Sequence, residues 1–200
     1  MLPATSNPAD WQIGPVRVWL RMHARGQRGE AQARMLLADA LEDADLHIAR
    51  DARGRPRLPA PHDANWSHSG DALLVALGRS ILLGVDLEQL RPRPRALEVA
   101  ERFFAPQEAQ WLVGLPPAQR DAAFVRLWCA KEAVLKAHGH GISFGLQKLQ
   151  FTASGNALRL VACDAALGTP AQWHVHEWEP LAGYHAALAW REHASAIIPR

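Results

Sequence analysis

Cysteine, tyrosine and long apolar runs are all scarce in this 200-residue chain, which has two cysteines and one tyrosine. The longest apolar stretch, Ala72 to Leu77, falls far short of the roughly 20 residues that a membrane-crossing helix requires. Met1-Leu2-Pro3-Ala4 offers no basic start leading into an apolar segment, so no signal peptide is expected and the cytoplasm is the expected location. Cys129 and Cys163 have neither a second thiol nor a histidine at metal-motif spacing. This excludes a disulfide-built scaffold and predicts two buried free thiols in a reducing compartment. Low-complexity tracts, coiled-coil heptads and short repeats are missing as well, which excludes fibrous and solenoid architectures.

What is present reads as a globular protein. Hydrophobic residues make up 48% and charged residues 21% of the chain, close to the average for soluble domains. A chain of this size buries about 70% of its surface on folding, enough for one or two small domains. Net charge is only +2, yet Arg50, Arg53, Arg55 and Arg57 cluster, as do Arg91, Arg93 and Arg95. Positive charge is local rather than global, and local arginine clusters suit phosphate.

Periodicity supplies the elements. Val16 to Leu20 alternates as a strand and Glu30 to Leu41, rich in Ala and Leu, reads as a helix. Asp51 to Asp63, broken by Gly54, Pro56, Pro59 and Pro61, reads as an ordered loop or short edge strands. Asn65 to Ser69, Ala72 to Leu77 and Ile81 to Glu88 are expected to form an antiparallel meander. A helix through Phe103 and Phe104, another opened by Pro106, and a long one from about Gln119 to Ala137 follow, the last stopped by Gly139 and Gly141. Four strands close the chain, at Leu149 to Thr152, Ala157 to Ala162, Gln172 to Glu179 and Tyr184 to Trp190.

Three motifs carry chemistry. In Gly84-Val85-Asp86-Leu87-Glu88, two carboxylates on one face of a strand, with Cα atoms about 6.6 Å apart, are able to share a cation. Such a string is common by itself, and a solvated strand end is the plain alternative. In Trp128-Cys129-Ala130-Lys131-Glu132-Ala133-Val134-Leu135-Lys136, Trp128, Glu132 and Lys136 stand four apart along one helical stripe. The bland alternative there is core packing plus a surface Glu-to-Lys pair of about 0.2–0.5 kcal/mol. Asn65-Trp66-Ser67-His68-Ser69-Gly70 is a polar strand end suited to an anion. Ser67 and His68 face opposite ways on a strand, so they are not each other's nucleophile and base.

Taken in order, NWSHSG, GVDLE and WCAKEAVLK resemble the surfactin-synthetase-activating (Sfp-like) class of 4'-phosphopantetheinyl transferases, over about residues 50 to 151. The segments RFFAPQE at 102–108 and GHGIS at 139–143 are similar to family segments too. The resemblance implies an α+β fold of two similar α/β halves, 1–95 and 96–200, packed as a pseudo-dimer within a monomer, with the site at their seam. It implies transfer of the phosphopantetheine arm of coenzyme A to a serine of an apo acyl or peptidyl carrier protein. Asp86, Glu88 and Glu132 would hold Mg²⁺, or Mn²⁺ in its place. Lys136 would reach the pyrophosphate, and Ser67 and His68 the phosphates of coenzyme A. Arg55 falls where the family more often has a nucleotide-contacting lysine, and Arg34 is a candidate for the 3'-phosphate. Glu132 ranks first as proton acceptor, ahead of Glu108 and a metal-bound water.

Rival classes are a metal-dependent phosphodiesterase or hydrolase using the same carboxylates, a non-catalytic coenzyme A binder, and a nucleic-acid binder built on the arginine clusters. Against the last stands the small net charge. His174 and His176 lie two apart without a third ligand and read as exposed strand residues rather than a zinc site. Cys129, inside a packed helix with no neighbouring histidine, reads as an inert thiol. Of the eight tryptophans, most belong in the core, with one expected to border the pantetheine arm.

Overall fold

A computed structural model describes residues 9–24, 26–155 and 157–193. The chain opens with a hairpin, β1 (Ala9–Ile13) and β2 (Val16–Met22), and continues into α1 (Glu30–Ala40). Two-residue strands β3 (Ala49–Arg50) and β4 (Pro56–Arg57) pair across the proline-rich segment and lead into β5 (His62–Ser69), β6 (Ala72–Arg79) and β7 (Ile81–Gln89). Three helices follow, α2 (Ala96–Phe103), α3 (Pro106–Gly114) and α4 (Pro117–His138). The chain then completes β8 (Leu149–Ser154), β9 (Ala157–Cys163), β10 (His174–Trp178) and β11 (Tyr184–Glu192). None of the helices among the described residues is long and apolar enough to cross a membrane.

The α+β architecture rests on two antiparallel sheets laid face to face. One has the order β1-β2-β6-β5 and the other β10-β11-β7. Strand alternation sorts their side chains: Val18 and Leu20 of β2 and Leu74 of β6 meet Leu83, Val85 and Leu87 of β7 and Leu188 of β11 between the sheets. The opposite face of the first sheet, through Trp19, Leu73 and Val75, receives Ala33 and Leu37 of α1. The opposite face of the second, through Ala187 and Ala189, is covered by α4. Each sheet thus has one helix outside it. Each fully buried Leu or Val removed from water adds about 1.5–3 kcal/mol.

Two sequence expectations need correction. Ile81 to Glu88 is a strand, but it does not complete a meander with β5 and β6. It leaves their sheet and pairs with β11, Asp86 opposite Ala187 and Glu88 opposite His185. Periodicity identifies a strand without naming its partner. Strand β1 was not anticipated, and it pairs along its whole length with β2.

Two glycines set the geometry around α4. A Cβ at Gly84 would run into the α4 backbone at Ala133 and Ala137, so only glycine lets the helix lie this close to β7. Gly139 takes the left-handed conformation (φ 87°) that ends α4. Arg55 then donates from Nε to the carbonyls of Lys136 and Ala137, both at 3.1 Å, meeting two of the groups that a helix end leaves open.

Candidate active site between two strand edges and a helix

Strands β5 and β7 are the edges of their respective sheets, and they lie against one another. An edge strand presents unpaired backbone N–H groups, and on β7 these are met by side chains of β5. Asp63 Oδ2 accepts from Leu83 N at 2.8 Å, Asn65 Oδ1 from Val85 N at 3.1 Å, and Ser69 Oγ from Gln89 N at 3.1 Å. Every second residue of β5 therefore faces this seam, and the polar alternation Asp63, Asn65, Ser67, Ser69 is its signature. Ser67 belongs to the series and donates to Asp86 Oδ1 at 2.9 Å.

On the far side of β7, α4 brings Glu132 and Lys136 over the same region. Lys136 Nζ lies 2.6 Å from Asp86 Oδ1 and donates to Ser67 Oγ at 2.9 Å and to the Val85 carbonyl at 3.2 Å. The second oxygen of Asp86 and Oε1 of Glu132 are buried without a hydrogen-bond partner. Burial, and then the charge of Asp86, raises the Glu132 carboxyl to about 7; Glu88 adds to the rise and Lys136 opposes it. Glu88, next along β7, accepts from Arg93 at 2.7 Å and from Ser69 Oγ at 3.5 Å.

A buried carboxylate oxygen with no donor is costly unless something else satisfies it. Two of them, on neighbouring carboxylates, fit a hard cation, and an all-oxygen donor set favours Mg²⁺ or Mn²⁺ over softer metals. No group of three or more His, Cys, Asp or Glu side chains among the described residues is gathered tightly enough to hold a metal. The reason lies in the pairs just described: Asp86 faces Lys136, and Glu88 is turned to Arg93.

Of the residues singled out from sequence, Asp86, Glu132, Lys136 and Ser67 are brought together and Glu88 borders them. His68 points to the opposite face of β5 and is exposed. Its ring packs 4.9 Å from that of His23, close to Gly29 at the start of α1. Partial burial first, and then His23 and Lys136, hold its imidazole below the ordinary value. Arg34 stands exposed on α1, outside the buried cluster.

Arg55 and Glu108 are corrected. Arg55 is 5% exposed and has no donor left for a nucleotide. Besides capping α4, it grips Asp63 through both terminal nitrogens, at 2.9 and 2.5 Å, and donates to the carbonyls of Pro56 and Leu83. Glu108 is buried at 2% exposure in an ion pair with Lys131 at 2.7 Å. It also accepts from Ala105 N at 2.9 Å and Phe151 N at 2.7 Å, so it holds α3 to α4 and β8 and has nothing to offer a substrate.

Elsewhere, His174 and His176 are exposed on β10 and pack on Trp190 and Trp178. Cys129 is buried, its thiol pushed well above the usual range by burial and by Asp86 and Glu88. Cys163 is free but only half-buried, which corrects the expectation of two buried thiols. Sequence reasoning placed Arg93 in an arginine cluster suited to phosphate but missed it as the partner of Glu88, and it missed the β5 alternation as a seam. Trp128, one turn before Glu132 on α4, lines a cleft of about 270 Å³ with Arg93, Val99 and Phe124.

Two partnerless carboxylate oxygens beside a lysine mark the site, and comparison with known proteins gives the class of the protein. Residues 82–189 match the 4'-phosphopantetheinyl transferase superfamily, and the chain belongs to that superfamily. The 4'-phosphopantetheinyl transferase psf-1 of Bacillus pumilus is 36% identical over 130 residues, which are 62% of this chain and 53% of that one. HetI of Nostoc sp. is 37% identical over 108 residues, 52% of this chain and 46% of its own. Sfp of Bacillus subtilis is 33% identical over 108 residues, 53% and 47% of the two chains. The chain spans about half the length of these relatives.

Proposed function

We propose that the protein transfers the 4'-phosphopantetheine arm of coenzyme A to a serine of an apo acyl or peptidyl carrier protein and releases adenosine 3',5'-bisphosphate. The observation that carries this reading is the pair of buried, partnerless oxygens on Asp86 and Glu132 beside Lys136. In a transferase of this superfamily, such a cluster is suited to a metal-bound pyrophosphate. Asp86, Glu88 and Glu132 would hold the cation, Mg²⁺ or Mn²⁺. When bound, it supplies charge neutralisation at the pyrophosphate.

The remaining work falls to side chains of this chain. In the reaction the carrier serine oxygen bonds to the phosphorus bearing the pantetheine, and the bond from that phosphorus to the bridging oxygen breaks. The bridging oxygen leaves with the nucleotide, and Lys136 offsets the negative charge that gathers on it. The serine proton passes to Glu132, the carboxylate one helical turn before Lys136. Ser67, already bonded to Lys136 and Asp86, fixes the ammonium. On the other face of β5, His68 packs on His23 beside Gly29, where the N-terminus of α1 offers backbone N–H groups to a phosphate of the nucleotide. Arg34, on the same helix, is the outermost candidate for it. The cleft beside Trp128 suits the pantetheine arm. The protein would act as a monomer in the cytoplasm, with neither nucleic acid nor membrane as a partner.

The test is the intact mass of an apo carrier protein after incubation with this protein, coenzyme A and Mg²⁺. The expected result is a chelator-sensitive gain of about 340 Da, one phosphopantetheine arm moved by phosphoryl chemistry. No gain on fatty-acid, polyketide or peptide carriers would contradict the proposal, and release of free phosphopantetheine would replace it with a hydrolase.

A further inference from the structure

Arg93 lies outside all three motifs, yet it touches the site. It sits in the Arg91–Pro94 connection after β7, where its backbone N–H donates to Asp121 Oδ2 of α4 at 3.1 Å. That bond fixes the connection whatever side chain stands at 93. The guanidinium reaches back to Glu88 Oε2 at 2.7 Å, with Glu88 23% and Arg93 31% exposed at their side chains. Its Nε is buried and has no partner, and the side chain forms a wall of the cleft that Trp128 lines.

Three carboxylates meet in this region, and two of them are already paired, Asp86 with Lys136 and Glu88 with Arg93. At most one negative charge is left uncompensated for an incoming dication. We propose that Arg93 is a positioning residue that occupies Glu88 in place of a cation and competes with a divalent metal for it. The inference rests on the reading of Asp86, Glu88 and Glu132 as the cation's ligands. The free protein then holds a bare dication weakly. A substrate phosphate offers the guanidinium another partner, which frees Glu88 when metal and substrate are both present.

Mn²⁺ binding to the full chain, read by loss of the free-ion electron paramagnetic resonance signal without coenzyme A, tests the proposal apart from activity. Arg93→Gln is expected to bind Mn²⁺ about threefold or more tightly than the wild type, because a unit charge a few ångströms from the dication is removed. Arg93→Lys, which keeps the charge, is expected to stay close to the wild type, and Asp86→Asn to lose binding. Equal or weaker binding by Arg93→Gln, with binding still lost in Asp86→Asn, would overturn this inference and leave the cation reading standing. Binding by none of the four proteins would overturn both. A fall in melting temperature shared by Arg93→Gln and Arg93→Lys, with unchanged Mn²⁺ affinity, would make Arg93 structural and overturn it too.

Discussion

Lys131 and Glu132 are neighbours on α4, both buried, and they have opposite fates. Lys131 is 0% exposed, yet its ammonium is fully answered by Glu108 and by the carbonyls of Leu146 and Leu149. Burial pushes Lys131 down and Glu108 up, each against the pull of its partner. Glu132 has an oxygen with no partner and shares its surroundings with Asp86 and Glu88. A single step along the helix thus separates a satisfied buried pair, which holds α3 and β8 in place, from an unsatisfied acidic cluster. Burial of charge alone does not mark a functional site; burial of charge left unanswered does.

The contrast is broken most sharply at the satisfied pair. Glu108→Gln leaves Lys131 buried without a counter-charge and is expected to cost about 3–5 kcal/mol, read from urea unfolding. Any transfer activity should survive at temperatures where the variant stays folded. A stable variant that has lost transfer would return Glu108 to the list of catalytic groups.

Lys136→Ala sharpens the other side. Its charge is called on chiefly as the leaving oxygen becomes negative, so turnover is expected to fall about a hundredfold with a much smaller change in KM for coenzyme A. A pure KM effect would reduce Lys136 to a binding group. The smallest effect is expected at the surface: Arg34→Ala should change stability by less than about 0.5 kcal/mol and should act, if at all, on KM for coenzyme A. Loss of turnover there would mean that α1 reaches the reacting atoms.

Much of this was legible in the sequence because it depends on period and punctuation. The helix carrying Glu132 and Lys136 is marked by its apolar content and its stop at Gly139, and the shared face of Asp86 and Glu88 by strand alternation. What sequence does not display is partnership. Arg55 and Glu108 have the residue types of a site, but their hydrogen-bonding capacity is spent on Asp63 and the end of α4, and on Lys131, Ala105 and Phe151. Strand β7 reads as the third strand of a meander until its pairing with β11 is seen. The polar alternation in β5 reads as a solvated or phosphate-facing strand until β7 is found against it.

The most direct measurement is thermal and urea unfolding of the wild type and Glu132→Gln, at pH 5 and pH 8, with and without Mg²⁺. Glu132 holds its proton up to about 7 in the folded protein, above the value of about 4.3 for an unperturbed Glu. Its contribution to stability is therefore full below the unfolded value and is lost as pH rises through 7. Without metal, the stability of Glu132→Gln relative to the wild type should rise by about 2–3 kcal/mol from pH 5 to pH 8, with Mg²⁺ stabilising only the wild type. If Glu132→Gln is less stable by the same amount at both pH values and responds to Mg²⁺ as the wild type does, Glu132 is a structural carboxylate like Glu108, and the cation site lies elsewhere.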